Sequence, residues 1–181
     1  MVIDSEDRYH IIHEDHAGRT NLHYVTSPSR RGPGWDLDVL GVQIQGQSSA
    51  LAVAGDDTLH AVYLDFCPPP LFDCDHRGVA AWVVHASNTG LNRAWETENI
   101  VRVELDGIMG SSIGVDAQGA VHIVYVDRHD LTLNYLTNTS GQWTAQVVDN
   151  RGAYGASMKL DSGGHLHISY VAGGLRYATN K

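Results

Sequence analysis

Lysine is almost missing from the 181 residues, with 2 copies against 10 arginines, and glutamate is scarce at 5 against 16 aspartates. Glu and Lys are the charged residues that serve helices, so their shortage argues against a helical architecture. Cysteine is confined to Cys67 and Cys74, seven positions apart in one Pro-rich stretch. That is too few for a disulfide scaffold, and the second pair that a zinc site needs is lacking. Positive charge is also short, 12 basic against 21 acidic residues, for a formal charge of −9. The broad phosphate-binding footprint of a nucleic-acid protein is therefore excluded, and anionic membrane surfaces are disfavoured. No apolar run approaches the roughly 18–20 residues of a membrane span, and Met1-Val2-Ile3-Asp4-Ser5-Glu6-Asp7 has neither the basic nor the apolar region of a signal peptide. The expectation is a soluble chain without an export signal. No Gly-x-Ser-x-Gly, P-loop or dinucleotide fingerprint occurs, so no cofactor is expected.

What is abundant is Asp, Gly (19), Tyr (8) and His (11), the composition of turns and strands. The length predicts a single domain, 1–181, with enough material for a core. Protonating all 11 histidines would take the formal charge from −9 to +2, so solubility should be lowest near the sequence pI of 5.5.

The dominant signal is internal repetition. Residues 111–125 align without a gap on residues 156–170, each placing Asp six residues before His: Asp116 and His122, Asp161 and His167. The frame recurs at 49–63, ending in His60-Ala61-Val62-Tyr63, and at 2–13, with His10 in register. A second motif, Leu-x-Tyr-x-Thr, follows at Leu22-His23-Tyr24-Val25-Thr26, at Leu133-Asn134-Tyr135-Leu136-Thr137 and at Leu175-Arg176-Tyr177-Ala178-Thr179. In the second unit it degrades to Val83-Val84-His85-Ala86-Ser87. A third motif is a Trp opening an alternating segment, at Trp35, Trp95 and Trp143. Each segment has the period-2 alternation of a strand, and Asp, Gly, Asn and Ser fill the joints. One unit is thus a meander of four strands, a to d. Four-stranded units of about 45 residues predict an all-β fold, a β-propeller of four blades. The blades span 1–46, 47–109, 110–154 and 155–181, the last lacking its outer strand.

At these motifs the chain resembles the bacterial β-propeller repeat proteins related to sialidase-type (BNR-like) propellers, over nearly its whole length. The nearest matches to the sialidase Asp-box turn are Asp116-Ala117-Gln118-Gly119-Ala120-Val121-His122 and Asp161-Ser162-Gly163-Gly164-His165-Leu166-His167. Both carry one extra residue between Asp and Gly and His in place of Trp. Sialidase activity also requires an arginine triad and a Tyr/Glu nucleophile pair at set places, which the motifs here do not assign, so the resemblance implies the fold and not the activity. Relatives of this kind include glycan-binding lectins and polysaccharide lyases or hydrolases.

Three complete units and one without strand d give 15 strands. Three closures fit: a four-bladed ring with one short blade, two chains joined as a homodimer in an eight-bladed ring, or a piece of a longer propeller.

His10, His60, His122 and His167 open strand b in every unit. Such a set could ring a channel and bind metal, but identical repetition marks a scaffold residue that hydrogen-bonds the Asp turn or a neighbouring blade. Tyr63, Tyr125 and Tyr170, and likewise Trp35, Trp95 and Trp143, read as rings filling the wedge between blades. Function is expected where the repeats disagree, on the face carrying the b–c and d–a loops. Its ligand-binding candidates are His13, Asp15, His16, Asp65, Asp75, His76, Arg77, Asp127, His129, Arg151 and Tyr154. Carboxylates, imidazoles, arginines and a tyrosine on one rim suit a sugar or an acid/base pair. His13 and His16 lack the helical spacing of a metalloprotease motif, so no metal is assigned. The expected function is a non-catalytic module binding a glycan or protein. The alternative is a polysaccharide lyase or glycoside hydrolase using His129, Tyr154 and Asp127.

Overall fold

A computed structural model describes residues 1–15, 21–27, 34–42, 48–65, 81–88, 94–104 and 107–181. The described residues form 15 strands in four antiparallel sheets, each a simple meander in chain order. Blade 1 is β1 (Val2–Ile3), β2 (Tyr9–Asp15), β3 (Asn21–Thr26) and β4 (Asp36–Val42). Blade 2 is β5 (Ala50–Val53), β6 (Leu59–Asp65), β7 (Ala81–Asn88) and β8 (Glu96–Val103). Blade 3 is β9 (Ile108–Val115), β10 (Val121–Asp127), β11 (Leu133–Thr137) and β12 (Thr144–Asp149). Blade 4 has three strands, β13 (Tyr154–Leu160), β14 (Leu166–Val171) and β15 (Leu175–Thr179). No helix among the described residues is long and apolar enough to cross a membrane.

The four units share one register. His10 pairs with Val2, His60 with Ala52, His122 with Gly114 and His167 with Lys159, always as the same rung of the a–b ladder. The a–b turns explain that constancy. In each, the N–H of the fourth residue donates to the carbonyl of the first: Asp7 to Asp4, Asp57 to Ala54, Gly119 to Asp116 and Gly164 to Asp161. The fourth residue has a positive φ, 62°, 66°, 84° and 78° in turn. A turn closed by one left-handed residue fixes hairpin register, and Gly or Asp is what tolerates that conformation. The c–d ladder also shifts register at one equivalent place per complete blade, Leu22/His23, Val83/Val84 and Leu133/Asn134. A repeated bulge of this kind increases the twist of the sheet.

Three apolar layers hold the blades together. Leu22, Tyr24 and Leu40 of blade 1 meet Leu59, Ala61 and Tyr63 of blade 2. Val62, Leu64 and Val83 of blade 2 meet Ile113, Ile123 and Tyr125 of blade 3. Val124, Val126 and Leu133 of blade 3 meet Met158, Ile168 and Tyr170 of blade 4. Central strands of the inner blades are therefore covered on both faces: β10 is buried at six of its seven residues, whereas β14 in blade 4 alternates. At the junction of blades 3 and 4, a Cβ on Gly114 would stand 3.3 Å from Leu160 Cδ1 and 3.4 Å from Met158 Cε, so these two side chains pack directly on the Gly114 backbone.

Candidate functional site

The repeated histidine sits at the centre of a three-residue relay. In blade 1, His10 Nε2 lies 3.0 Å from Asp4 Oδ2 and Nδ1 lies 2.6 Å from the Tyr24 hydroxyl. Blade 3 repeats this with Asp116 (3.2 Å) and Tyr135 (2.6 Å), and blade 4 with Asp161 (3.1 Å) and Tyr177 (2.5 Å). An ionised carboxylate accepts from Nε2–H, which leaves Nδ1 to accept the phenolic proton. Both ring nitrogens are thereby engaged in three blades. The relay also ties turn to strands: Asp116 Oδ1 accepts from the N–H groups of Gln118 and Ala120. Burial works against the Asp116 carboxylate, yet the donors from Ala120, His122 and Gln118 outweigh it and hold its pKa below the usual range.

Blade 2 breaks the relay at both ends. Ala54 occupies the turn position of the missing carboxylate, and His85 replaces the tyrosine. His60 Nδ1 instead lies 3.0 Å from His85 Nε2, with the rings stacked at 5.2 Å. Burial lowers both pKa values, that of His85 to about 4, so the pair is neutral at pH 7. His60 Nε2 is left with no partner among the described residues. Beside it opens a cleft of about 600 Å³, lined by Ala54, Gly55, Asp56, Thr58 and His60 of blade 2 and by Asp116, Ala117, Gln118 and Gly119 of blade 3. Asp56 is held below the ordinary carboxylate range by the Thr58 backbone N–H. The lining residues thus include two Asp, a Gln, a Thr and a His, and no Arg or Lys.

The cleft lies at the a–b turns, the end of the strands opposite the b–c and d–a loops on which the sequence candidates fall. At that other end, Arg128 N–H donates to Gly107 O (2.9 Å) and Ala153 N–H to Leu131 O (2.7 Å). These bonds tie the loop carrying Asp127 and His129 to both neighbouring d–a loops, including the one that carries Arg151 and Tyr154. His129 N–H donates to Asp127 Oδ1, and burial raises the Asp127 pKa. Arg151 is clamped by Asp149, Nε to Oδ1 and Nη2 to Oδ2 both 2.8 Å, while the Tyr170 hydroxyl donates to Asp149 Oδ2 at 2.7 Å. Donors from Arg151 and Tyr170 hold the Asp149 carboxyl far below the usual range. The exposed Tyr154 ring follows three residues later. Asp65 is buried at the end of β6, and His13 stacks on His23 at 5.2 Å on the free face of blade 1. His16, Asp75, His76 and Arg77 lie outside the described residues, as do Cys67 and Cys74, and Asp15 is described in its backbone alone.

No family model matches the sequence, and no curated protein is detectably similar to it. Solved structures are. A mutant of NanB sialidase from Streptococcus pneumoniae superposes with a TM-score of 0.59 at 12% identity, over 99% of this chain and 29% of that one. The chain has a distant sialidase-like β-propeller fold. Two other propellers agree: the intramolecular trans-sialidase from Ruminococcus gnavus (TM-score 0.50, 14% identity, 91% of this chain and 41% of that one), and the Aleuria aurantia lectin in complex with Fucα1-6GlcNAc (0.51, 12%, 96% and 62%). The chain spans less than a third of the length of the NanB sialidase. Within this propeller, Asp56, Asp116 and Gln118 are site candidates that the sequence reading missed. The signal was present in the sequence: Ala54 breaks the Asp-to-His spacing and His85 breaks Leu-x-Tyr-x-Thr, both in the second unit.

Proposed function

We propose that the chain is a carbohydrate-binding β-propeller module that takes a neutral, hydroxyl-rich glycan in the cleft between the a–b turns of blades 2 and 3. The observation that carries this reading is His60, whose Nε2 has no partner among the described residues, in the lining of a cleft of about 600 Å³ with Asp56, Thr58, Asp116 and Gln118. Such a volume suits a small ligand, and carboxylate and amide oxygens are good acceptors for sugar hydroxyls. With two carboxylates and no cation in the lining, an acidic sugar is disfavoured. A glycan array carrying neutral and sialylated saccharides, followed by calorimetry on the best neutral ligand, tests it. His60→Ala and Gln118→Ala should each weaken binding about tenfold, the scale of one or two lost hydrogen bonds. Binding confined to sialylated glycans, or indifferent to both substitutions, overturns the reading.

The pKa of Asp127, raised by burial, favours a second reading, a lyase or hydrolase acting at the opposite rim, because a raised pKa moves a carboxyl toward the range in which it can serve as an acid. Depolymerisation of a polysaccharide panel, abolished by Asp127→Asn and by His129→Ala, would establish it.

A further inference from the structure

Among the described residues, blades 1 and 4 each keep one sheet face uncovered, and the two faces are the halves of a junction that the chain makes internally. In the interior, the Trp that opens strand d of one blade sets its edge against the strand-c ring of the blade before it. Trp95 meets Tyr24 at 5.1 Å and 71°, and Trp143 meets His85 at 5.4 Å and 62°. Trp35 is the blade 1 member of that Trp series, and Tyr177 is the blade 4 member of the strand-c ring series. Neither is covered: Trp35 is 56% exposed and Tyr177 60%.

The surroundings match. On blade 1 the free face carries the cross-strand row Ile11, Val25 and Leu37, with Leu37 64% exposed. On blade 4 the free face carries the row Tyr154, Val171 and Leu175, with Leu175 84% exposed. Ile11 stands at the repeat position of Ile168, and Val171 and Leu175 at those of Val126 and Leu133. Ile168, Val126 and Leu133 all lie in the apolar layer between blades 3 and 4. Each free face therefore has the pattern of a surface that elsewhere in this chain is packed against a blade, and it is large, apolar side chains that are left in water.

We propose that a second copy of this chain covers both faces, blade 1 of one copy docking on blade 4 of the other, so that two copies close one ring through two identical junctions. A single molecule offers both complementary surfaces and leaves both exposed. Head-to-tail surfaces of this kind close into a ring when a second copy returns to the first. In each junction Trp35 of one copy meets Tyr177 of the other, continuing the series set by Trp95 and Trp143.

Light scattering coupled to size exclusion on the 181-residue chain should give twice 19.7 kDa. Trp35→Glu and Leu175→Glu should each give a monomer with unchanged far-UV circular dichroism. An equimolar mixture of the two variants should regain a dimer, because one intact blade 4 face and one intact blade 1 face remain. A wild-type mass of 19.7 kDa overturns the proposal, as does a wild-type assembly larger than two copies. A dimer that survives either substitution overturns it too, since the contact then lies elsewhere. If a variant loses its β signal, hydrogen exchange on the wild type decides: protection at residues 35–39 and 175–179 must rise with protein concentration, and flat protection refutes the docking.

Discussion

His60 Nδ1 and His85 Nε2 are 3.0 Å apart, an imidazole pair standing where the other three blades set a histidine against a tyrosine. Burial lowers both pKa values from 6.5, His85 to about 4. Between those values the unfolded chain binds more protons than the folded one. The stability is therefore complete above pH 6.5 and falls as the pH drops toward 4, by on the order of 1–3 kcal/mol for the pair. Chemical denaturation of His85→Tyr, which restores the phenol, should show a shallower loss between pH 6.5 and 4 than the wild type. Equal slopes would mean that the pair is not the source of the acid sensitivity.

Asp4 governs a second, more acidic step. Burial opposes its carboxylate, but the Arg8 backbone N–H, His10 and the Arg8 guanidinium bring its pKa from 3.8 down to about 2. A depressed carboxyl stabilises the fold above its unfolded pKa and ceases to do so as pH falls through 2. Asp4→Asn should cost on the order of 2 kcal/mol at pH 6 and nothing extra below pH 2. Thermal melts at the two pH values check this, and an equal cost at both would make the effect packing rather than charge.

The left-handed closing residue of the a–b turn gives a test at constant contact. Gly119 has φ 84° and Gly55 carries no positive φ, and a Cβ at either position meets nothing within 4 Å. Gly119→Ala should cost about 1–2 kcal/mol from backbone strain alone. Gly55→Ala should be neutral or stabilising by up to about 1 kcal/mol, through the unfolded chain. Similar denaturation midpoints for the two variants would contradict the turn geometry.

The strand plan was legible because one relay repeats at fixed spacing. Asp116 and His122, six apart, fix a turn and a register, and the same spacing at Asp161 and His167 fixes the next. The site was less legible. Attention goes naturally to long, charged stretches of sequence that break the repeat, such as 66–80, whereas the cleft is lined at Ala54, where the repeat lacks its usual carboxylate. The clamp of Asp149 on Arg151 and Tyr170 could not be read either. It joins a d–a loop to strand b of the following blade, and no period in the sequence links those positions.

Ala54→Asp reverses the break that opens the cleft. The Ala54 backbone already has the turn geometry of its counterparts: its N–H donates to Thr58 O and its carbonyl accepts from Asp57, as Asp116 does with Ala120 and Gly119. A carboxylate there would reach His60 Nε2 as Asp4, Asp116 and Asp161 reach their own histidines, at 3.0–3.2 Å. The His60 pKa should then rise, so the stability gained is largest at low pH and shrinks above the new folded value. A gain of about 1–3 kcal/mol at pH 5.5 is expected for a charge-assisted bond. The same bond occupies the His60 ring nitrogen that has no partner among the described residues, so glycan affinity should fall while stability rises. That opposite movement separates a binding residue from a merely structural one, because a substitution that only disturbed the fold would lower both. Calorimetric titration and denaturation of one preparation read the two together. Rising stability with undiminished binding would leave the blade 2 histidine in a scaffold role and move the search for the glycan site to the rim of Arg151 and Tyr154.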